Sequence, residues 1–140
     1  MSSYLDASVI VALLTVDPLN ARVERFFRTV QDDLVVSDLA GAEFASAIAR
    51  RVRMRELALE IGRGDLAEFD RWCARSALWV TVEPADMAAA TGFLRRLDLT
   101  LLSPDAIHIA LARRLGARLV TLDRRTAAAA GALGVVAAEP

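Results

Sequence analysis

Four acidic residues, Asp6, Glu43, Asp105 and Asp123, stand where an α/β chain commonly keeps its chemistry. Asp6 ends the run Ser3-Tyr4-Leu5 and Asp123 ends Arg118-Leu119-Val120-Thr121-Leu122, while Glu43 and Asp105 fall early in segments of helical pattern. In an open parallel sheet, the edge where strands end is the ligand-binding edge. Carboxylates gathered there repel one another, so some take up protons unless a cation neutralises them. An all-oxygen donor set favours a hard divalent ion, Mg2+ or its substitute Mn2+, over zinc. Such an ion, single or paired, orients a phosphodiester, acidifies a water and stabilises the leaving oxygen, so hydrolysis needs no covalent nucleophile.

Each acid also has an ordinary use. Asp6 or Asp105 can cap a helix, Glu43 can be a solvated charge, and Asp123 can sit in a turn. Glu43 is the most informative, because Ala42, Phe44 and Ala45 flank it and a carboxylate beside an apolar stripe needs a partner. Ser8, two residues after Asp6, and Thr121, two before Asp123, share a side of the extended chain with their acids; they support the site, or they cap and fill. His108 lies one turn after Asp105, either a general base or a structural residue behind the acids. Arg124 and Arg125 directly follow Asp123 and either meet a phosphate or sit solvated at a helix start. Arg50, Arg51, Arg53 and Arg55 form the densest basic cluster, suited to phosphates, an acidic partner or plain solvent. Asp98, after Arg95-Arg96-Leu97, reads as a helix-end residue.

These side chains need elements to hold them. Short β-favouring runs alternate with longer helical stretches, the pattern of a parallel sheet with helices on both faces. A strand is expected at 3–5, a helix at 8–16 closed by Asp17-Pro18, and an amphipathic helix at 20–31 carrying Val23, Phe26, Phe27 and Val30. A buried strand follows at 34–36. Ser37 or Asp38 then caps a helix with the stripe Leu39, Ala42, Ala45, Ile48, Ala49 and Val52, putting Glu43 in its second turn. Gly62 and Gly64 are expected to interrupt the chain, leaving 65–76 as a separate helix with Leu66, Phe69 and Trp72 inward. A third strand is expected at 78–82, a helix from Pro84 to about Leu97, and another opened by Ser103 as cap with Pro104 after it. A fourth strand at 118–122, an alanine-rich helix and a short strand near Val135-Val136 complete a sheet of about five strands.

Composition narrows the function classes. The 140 residues suit one domain, 1–140, and 55% hydrophobic content excludes disorder and leaves apolar surface to bury, some of it in an interface. The apolar run 9–14 is shorter than the roughly 20 residues a membrane helix needs and no basic segment precedes it, so neither membrane span nor signal peptide is expected. Cys73 is the single cysteine, which excludes an internal disulfide, fits a reducing cytoplasm and reads as a small buried apolar residue beside Trp72. A net charge of −1 does not announce a nucleic-acid binder, so local patches must carry any such contact. The chain contains no lysine.

The segments Tyr4-Leu5-Asp6-Ala7-Ser8, Ser37 to Glu43, Ser103-Pro104-Asp105-Ala106-Ile107-His108 and Thr121-Leu122-Asp123-Arg124 occur in the order and spacing that resemble a PIN domain of the VapC type. The resemblance runs from Tyr4 to about Val136. It implies a PIN-like α/β domain in which Asp6, Glu43, Asp105 and Asp123 hold the metal and Ser8 and Thr121 support them. The implied activity is endonucleolytic RNA cleavage by the toxin half of a VapBC toxin–antitoxin pair. The implied partners are a VapB-type antitoxin threading across the acids and a second copy of the chain. The chain departs from many relatives in having Leu101 and Leu102 where a basic residue precedes the third motif.

Two other classes share features with this chain. Magnesium-dependent phosphatases of the haloacid-dehalogenase type and receiver domains also use a strand-ending aspartate, but both rely on a lysine, and Asp6-Ala7-Ser8 lacks the phosphatases' second aspartate. A silent PIN-like binding module is the non-enzyme alternative, against which the full set of four acids stands.

Overall fold

The computed structural model describes residues 1–140. Five parallel strands, β1 (Ser2–Leu5), β2 (Asp33–Ser37), β3 (Leu78–Val80), β4 (Arg118–Val120) and β5 (Ala137–Ala138), form one sheet in the order β3-β2-β1-β4-β5. Seven helices connect and cover it: α1 (Ala7–Leu14), α2 (Asn20–Thr29), α3 (Asp38–Arg53), α4 (Leu59–Ser76), α5 (Pro84–Leu94), α6 (Ser103–Leu115) and α7 (Arg124–Ala132). β1 is central, with Ser3 in register with Leu34 on one side and Arg118 on the other.

Strand alternation divides the core in two. Tyr4, Val35 and Leu119 face a cluster built with Phe93 of α5, Ile109 and Leu111 of α6 and Ala130 of α7. Leu5, Val36 and Val120 face the other cluster, with Val9 and Ile10 of α1, Val23 of α2, Phe44 and Ile48 of α3 and Phe69 of α4. The helices therefore lie on both faces, as the alternating pattern predicts. No helix is long and apolar enough to cross a membrane.

Several local expectations are corrected. The buried residues of α3 are Ala40, Phe44 and Ile48, while Ala42, Ala45 and Ala49 are exposed. Burying a Phe or Ile stabilises by about 2 kcal/mol, and a methyl much less, so the two large side chains set the phase of the helix. Gly62 and Gly64 do not break the chain, since α4 already starts at Leu59. Gly62 is instead where α4 crosses α3: a Cβ there would lie 2.9 Å from Val52 Cγ2 and 3.3 Å from Ile48 Cγ2. Leu66 points outward and Cys73 is only half-buried, its thiol pushed up to about 11 by desolvation and the Asp70 charge.

Boundaries shift too. α1 stops at Leu14, α2 at Thr29 and α5 at Leu94; β3 ends at Val80 and β4 at Val120, two residues short of the expected ends. The last strand is 137–138, because Leu119 and Thr121 donate to the carbonyls of Val136 and Ala138. Ser37 is the cap of α3, its Oγ accepting from the Ala40 amide at 3.1 Å. Ser103 is not a cap: the N-cap position of α6 belongs to Leu102, and Ser103 and Pro104 begin the helix itself.

Candidate active site

All four acids stand at the edge where the strands end, three of them at a helix cap or first turn and Glu43 in the second turn of its helix. Asp6 follows β1 and caps α1, and its backbone amide donates to the Val120 carbonyl at 3.2 Å, which ties it to the end of β4. It is nearly buried, and Oδ1 accepts from Ser8 Oγ at 2.5 Å and the Val9 amide at 3.3 Å. Ser8 Oγ in turn accepts from the Leu122 amide at 3.1 Å, so one hydroxyl joins the Asp6 corner to the segment leading to Asp123.

Asp123 caps α7 rather than ending a strand directly, Oδ1 accepting from the amides of Arg125 at 2.8 Å and Thr126 at 3.3 Å. Thr121 is fully buried, and its Oγ1 accepts from the Asp123 amide at 3.0 Å. Asp105, in the first turn of α6, accepts on Oδ2 from the Leu102 amide at 3.4 Å. Glu43, in the second turn of α3, is bonded through Oε1 to Nε2 of His108.

Burial pushes the Asp105 carboxyl above the ordinary carboxylate range, and the charges of Asp123 and Glu43 push the same way against the Leu102 amide and His108. Those acids thus act on one another electrostatically. As the side chains stand, no three acidic, imidazole or thiol groups already enclose an ion. The donor chemistry nevertheless suits a hard cation. Each acid is anchored through a single oxygen, while Asp6 Oδ2, Glu43 Oε2, Asp105 Oδ1 and Asp123 Oδ2 have no donor within the protein. Oxygen ligands of that kind are what Mg2+ and Mn2+ take.

A cavity of about 310 Å³ opens on Asp105 and Asp123 and is lined also by Leu99, Thr100, Leu101, Leu102 and Arg125. Arg125 makes no ion pair, whereas Arg124 turns toward Glu139 at 3.6 Å. A larger, shallow hollow of about 810 Å³ between α7 and β5 contains none of the four acids. Arg50, Arg51 and Arg53 lie in the last turn of α3, about 10 to 15 Å along the helix from Glu43 by its rise per residue. Arg51 is engaged there with Thr15 and Asp17. Asp98 is exposed and paired with Arg96.

Sequence reasoning missed two residues behind the acids. The Tyr4 hydroxyl lies 2.6 Å from His108 Nδ1 and 2.7 Å from Ser37 Oγ, all buried. The available signal was a tyrosine in a central strand, whose hydroxyl needs a partner once buried.

Comparisons with known proteins identify the family and the fold. The profile of the family described as PIN domain matches residues 3–132. Ribonuclease VapC46 of Mycobacterium tuberculosis is 36% identical over 140 residues, covering 98% of this chain and 96% of its own length. Among solved structures, Mycobacterium tuberculosis VapC20, a toxin cleaving the sarcin-ricin loop, superposes with a TM-score of 0.76 at 20% identity, covering 99% of both chains. VapBC2 of Rickettsia felis, bound to a DNA fragment from its promoter, gives 0.73 at 12% identity over 100% of this chain and 99% of that one. With the profile spanning most of its length and a curated relative matching nearly end to end, the chain belongs to the PIN-domain family, in its VapC branch.

Proposed function

We propose that this protein is a metal-dependent endoribonuclease, the toxin half of a VapBC-type toxin–antitoxin pair acting on RNA in the cytoplasm. The observation that carries the reading is the group of four carboxylates at the strand-end edge, each anchored through one oxygen and leaving the other without a protein donor. Asp6, Glu43, Asp105 and Asp123 are the residues to hold Mg2+, with Mn2+ as substitute. When bound, the cation supplies Lewis acidity toward a phosphodiester and the attacking water.

The chain's own residues do the rest. Ser8 restrains Asp6 and Thr121 restrains the Asp123 backbone, so both carboxylates keep their places as substrate enters. Arg125 lines the cavity beside Asp105 and Asp123, where its guanidinium meets a phosphate of the RNA, and Arg124 stands next to it at the rim. Family membership and the likeness to VapC46 and to a VapBC assembly support a VapB-type antitoxin as partner. A basic antitoxin side chain would complement the acids. The exposed Leu78 and Trp79 on edge strand β3 support a homodimer.

The test is to incubate the purified protein, freed of antitoxin, with total cellular RNA in Mg2+, Mn2+ or EDTA, beside Asp6→Asn and Asp105→Asn. Discrete fragments that require the metal and both carboxylates are expected, and end-mapping them names the target. Intact RNA under every metal, with the protein folded, would overturn the reading in favour of a silent binding module.

A further inference from the structure

Behind the acids runs an unbroken line of buried polar atoms. The Ala40 amide donates to Ser37 Oγ at 3.1 Å, Ser37 Oγ meets the Tyr4 hydroxyl at 2.7 Å, that hydroxyl meets His108 Nδ1 at 2.6 Å, and His108 Nε2 meets Glu43 Oε1. Tyr4 and Ser37 are fully buried and His108 is 2% exposed, so each proton in the line must be given to a protein atom. The line begins at the cap of α3 and returns to the same helix at Glu43, passing through β1 and α6.

Counting donors sets its direction. Ser37 Oγ already accepts from Ala40, and the Tyr4 oxygen is the only acceptor within reach of its proton. Ser37 therefore donates to Tyr4, Tyr4 donates to Nδ1, and the single proton of a neutral imidazole is left on Nε2, facing Glu43. The opposite order would strand the Ser37 proton in the core with no acceptor.

We propose that His108 is a positioning residue: oriented by Ser37 and Tyr4, it holds Glu43 Oε1 through its Nε2–H and leaves Oε2 as the oxygen available to the cation. This rests on the proposed nuclease function for its use, though the ordering of the protons does not. The line also touches three of the four acid-bearing elements, since Tyr4 lies two residues before Asp6, Ser37 caps the helix of Glu43, and His108 follows Asp105 by three residues. Partners that orient a metal's ligands in this way are worth about 10- to 100-fold in metal affinity or activity.

Two measurements test it. His108 is the only histidine, so 15N labelling of histidine in the metal-free protein reports its two ring nitrogens without ambiguity. The proton is expected on Nε2 with Nδ1 bare, and Tyr4→Phe is expected to abolish that preference; a proton on Nδ1 in the wild-type protein overturns the proposal. The second measurement compares RNA cleavage and calorimetric Mn2+ binding for wild type, Tyr4→Phe, His108→Asn and His108→Gln, with circular dichroism establishing that each is folded. Tyr4→Phe and His108→Asn are expected to lose about 10- to 100-fold in kcat and in Mn2+ affinity, with KM for RNA changed by no more than about twofold. His108→Gln, whose amide N–H reaches the place of Nε2–H, should recover most of the loss. Wild-type Mn2+ affinity and kcat in His108→Asn, or a Gln variant no better than Asn, would overturn the assignment. Should the wild type itself leave RNA intact, the nuclease reading falls, while the nitrogen and Mn2+ measurements still judge this one.

Discussion

Arg114 holds Asp86 with two arms of its guanidinium, Nε lying 2.8 Å from Oδ1 and Nη2 2.9 Å from Oδ2, while Nη2 also donates to the Thr81 carbonyl at 3.0 Å. The pair locks the last turn of α6 to the first turn of α5, and α6 is the helix that carries Asp105 and His108. Asp86 is almost wholly buried, so removing its partner leaves a carboxylate with neither solvent nor cation. Arg114→Ala is expected to cost about 3 kcal/mol of stability, measured by denaturant unfolding.

The same pair fixes a pH dependence. Burial alone would raise the Asp86 carboxyl, but the Arg114 hydrogen bonds, the Glu83 amide and the Arg114 charge together outweigh it and hold the group below its usual range. A depressed folded value contributes stability above the unfolded carboxyl range near ~4 and loses it as pH falls through the folded value. The stability difference between wild type and Asp86→Asn should therefore be largest at neutral pH and shrink on acidification below that range. A difference independent of pH would show that the charge contributes nothing.

Asp105 has the opposite sign. Its raised carboxyl means the ionised form is penalised in the folded protein, so the stability it contributes is present below the unfolded range and lost as pH rises through the higher folded value. At neutral pH, Asp105→Asn is expected to raise the midpoint of thermal unfolding by a few degrees while abolishing RNA cleavage, the trade expected where function strains a fold. Melting curves at pH 7 without divalent ions check this.

Two glycines of one helix should respond in opposite ways to alanine. Gly64 has nothing within 4 Å of a would-be Cβ, so Gly64→Ala gains helix propensity, up to about 1 kcal/mol. At Gly62 the new Cβ would press on the stiff Val52 side chain and on Ile48, and overpacking of about 1–3 kcal/mol exceeds that gain. Paired denaturation curves should move apart, up for Gly64→Ala and down for Gly62→Ala.

Arg125→Ala should weaken RNA binding with little change in turnover. Losing one phosphate contact reduces the slope of log affinity against log salt by about one, uniformly across sequences. Arg53→Ala, at the end of α3 about 15 Å from Glu43, should leave the slope unchanged.

How much of this was legible in the chain depends on how local the determining physics is. The acids could be placed because each lies beside a local signal: Asp6 and Asp123 after short strand-like runs, Glu43 after a Ser cap, Asp105 beside Pro104. The phase of α3 was not, because alanine satisfies either face of a helix and only Phe44 and Ile48, four residues apart, choose between them. Gly62 reads as a breaker until the crossing with α3 is known, and no local pattern contains that crossing. The link from Tyr4 to His108 spans 104 residues and exists only because β1 and α6 share a core, which the fold alone reveals.

The placement of β1 has a consequence for how the protein is made. Its two flanks are completed at very different times: β2 follows soon after it on the ribosome, whereas Arg118, which pairs with Ser3, is among the later residues translated. Domains generally fold as units as the chain emerges, at about 5–20 residues per second. For seconds, then, a nascent copy has Asp6 and Glu43 but neither Asp123 nor the strand against which Asp6 is fixed. If the four acids are the cutting edge proposed above, a prematurely terminated copy lacks it, and a cell making this protein is spared by its own unfinished chains.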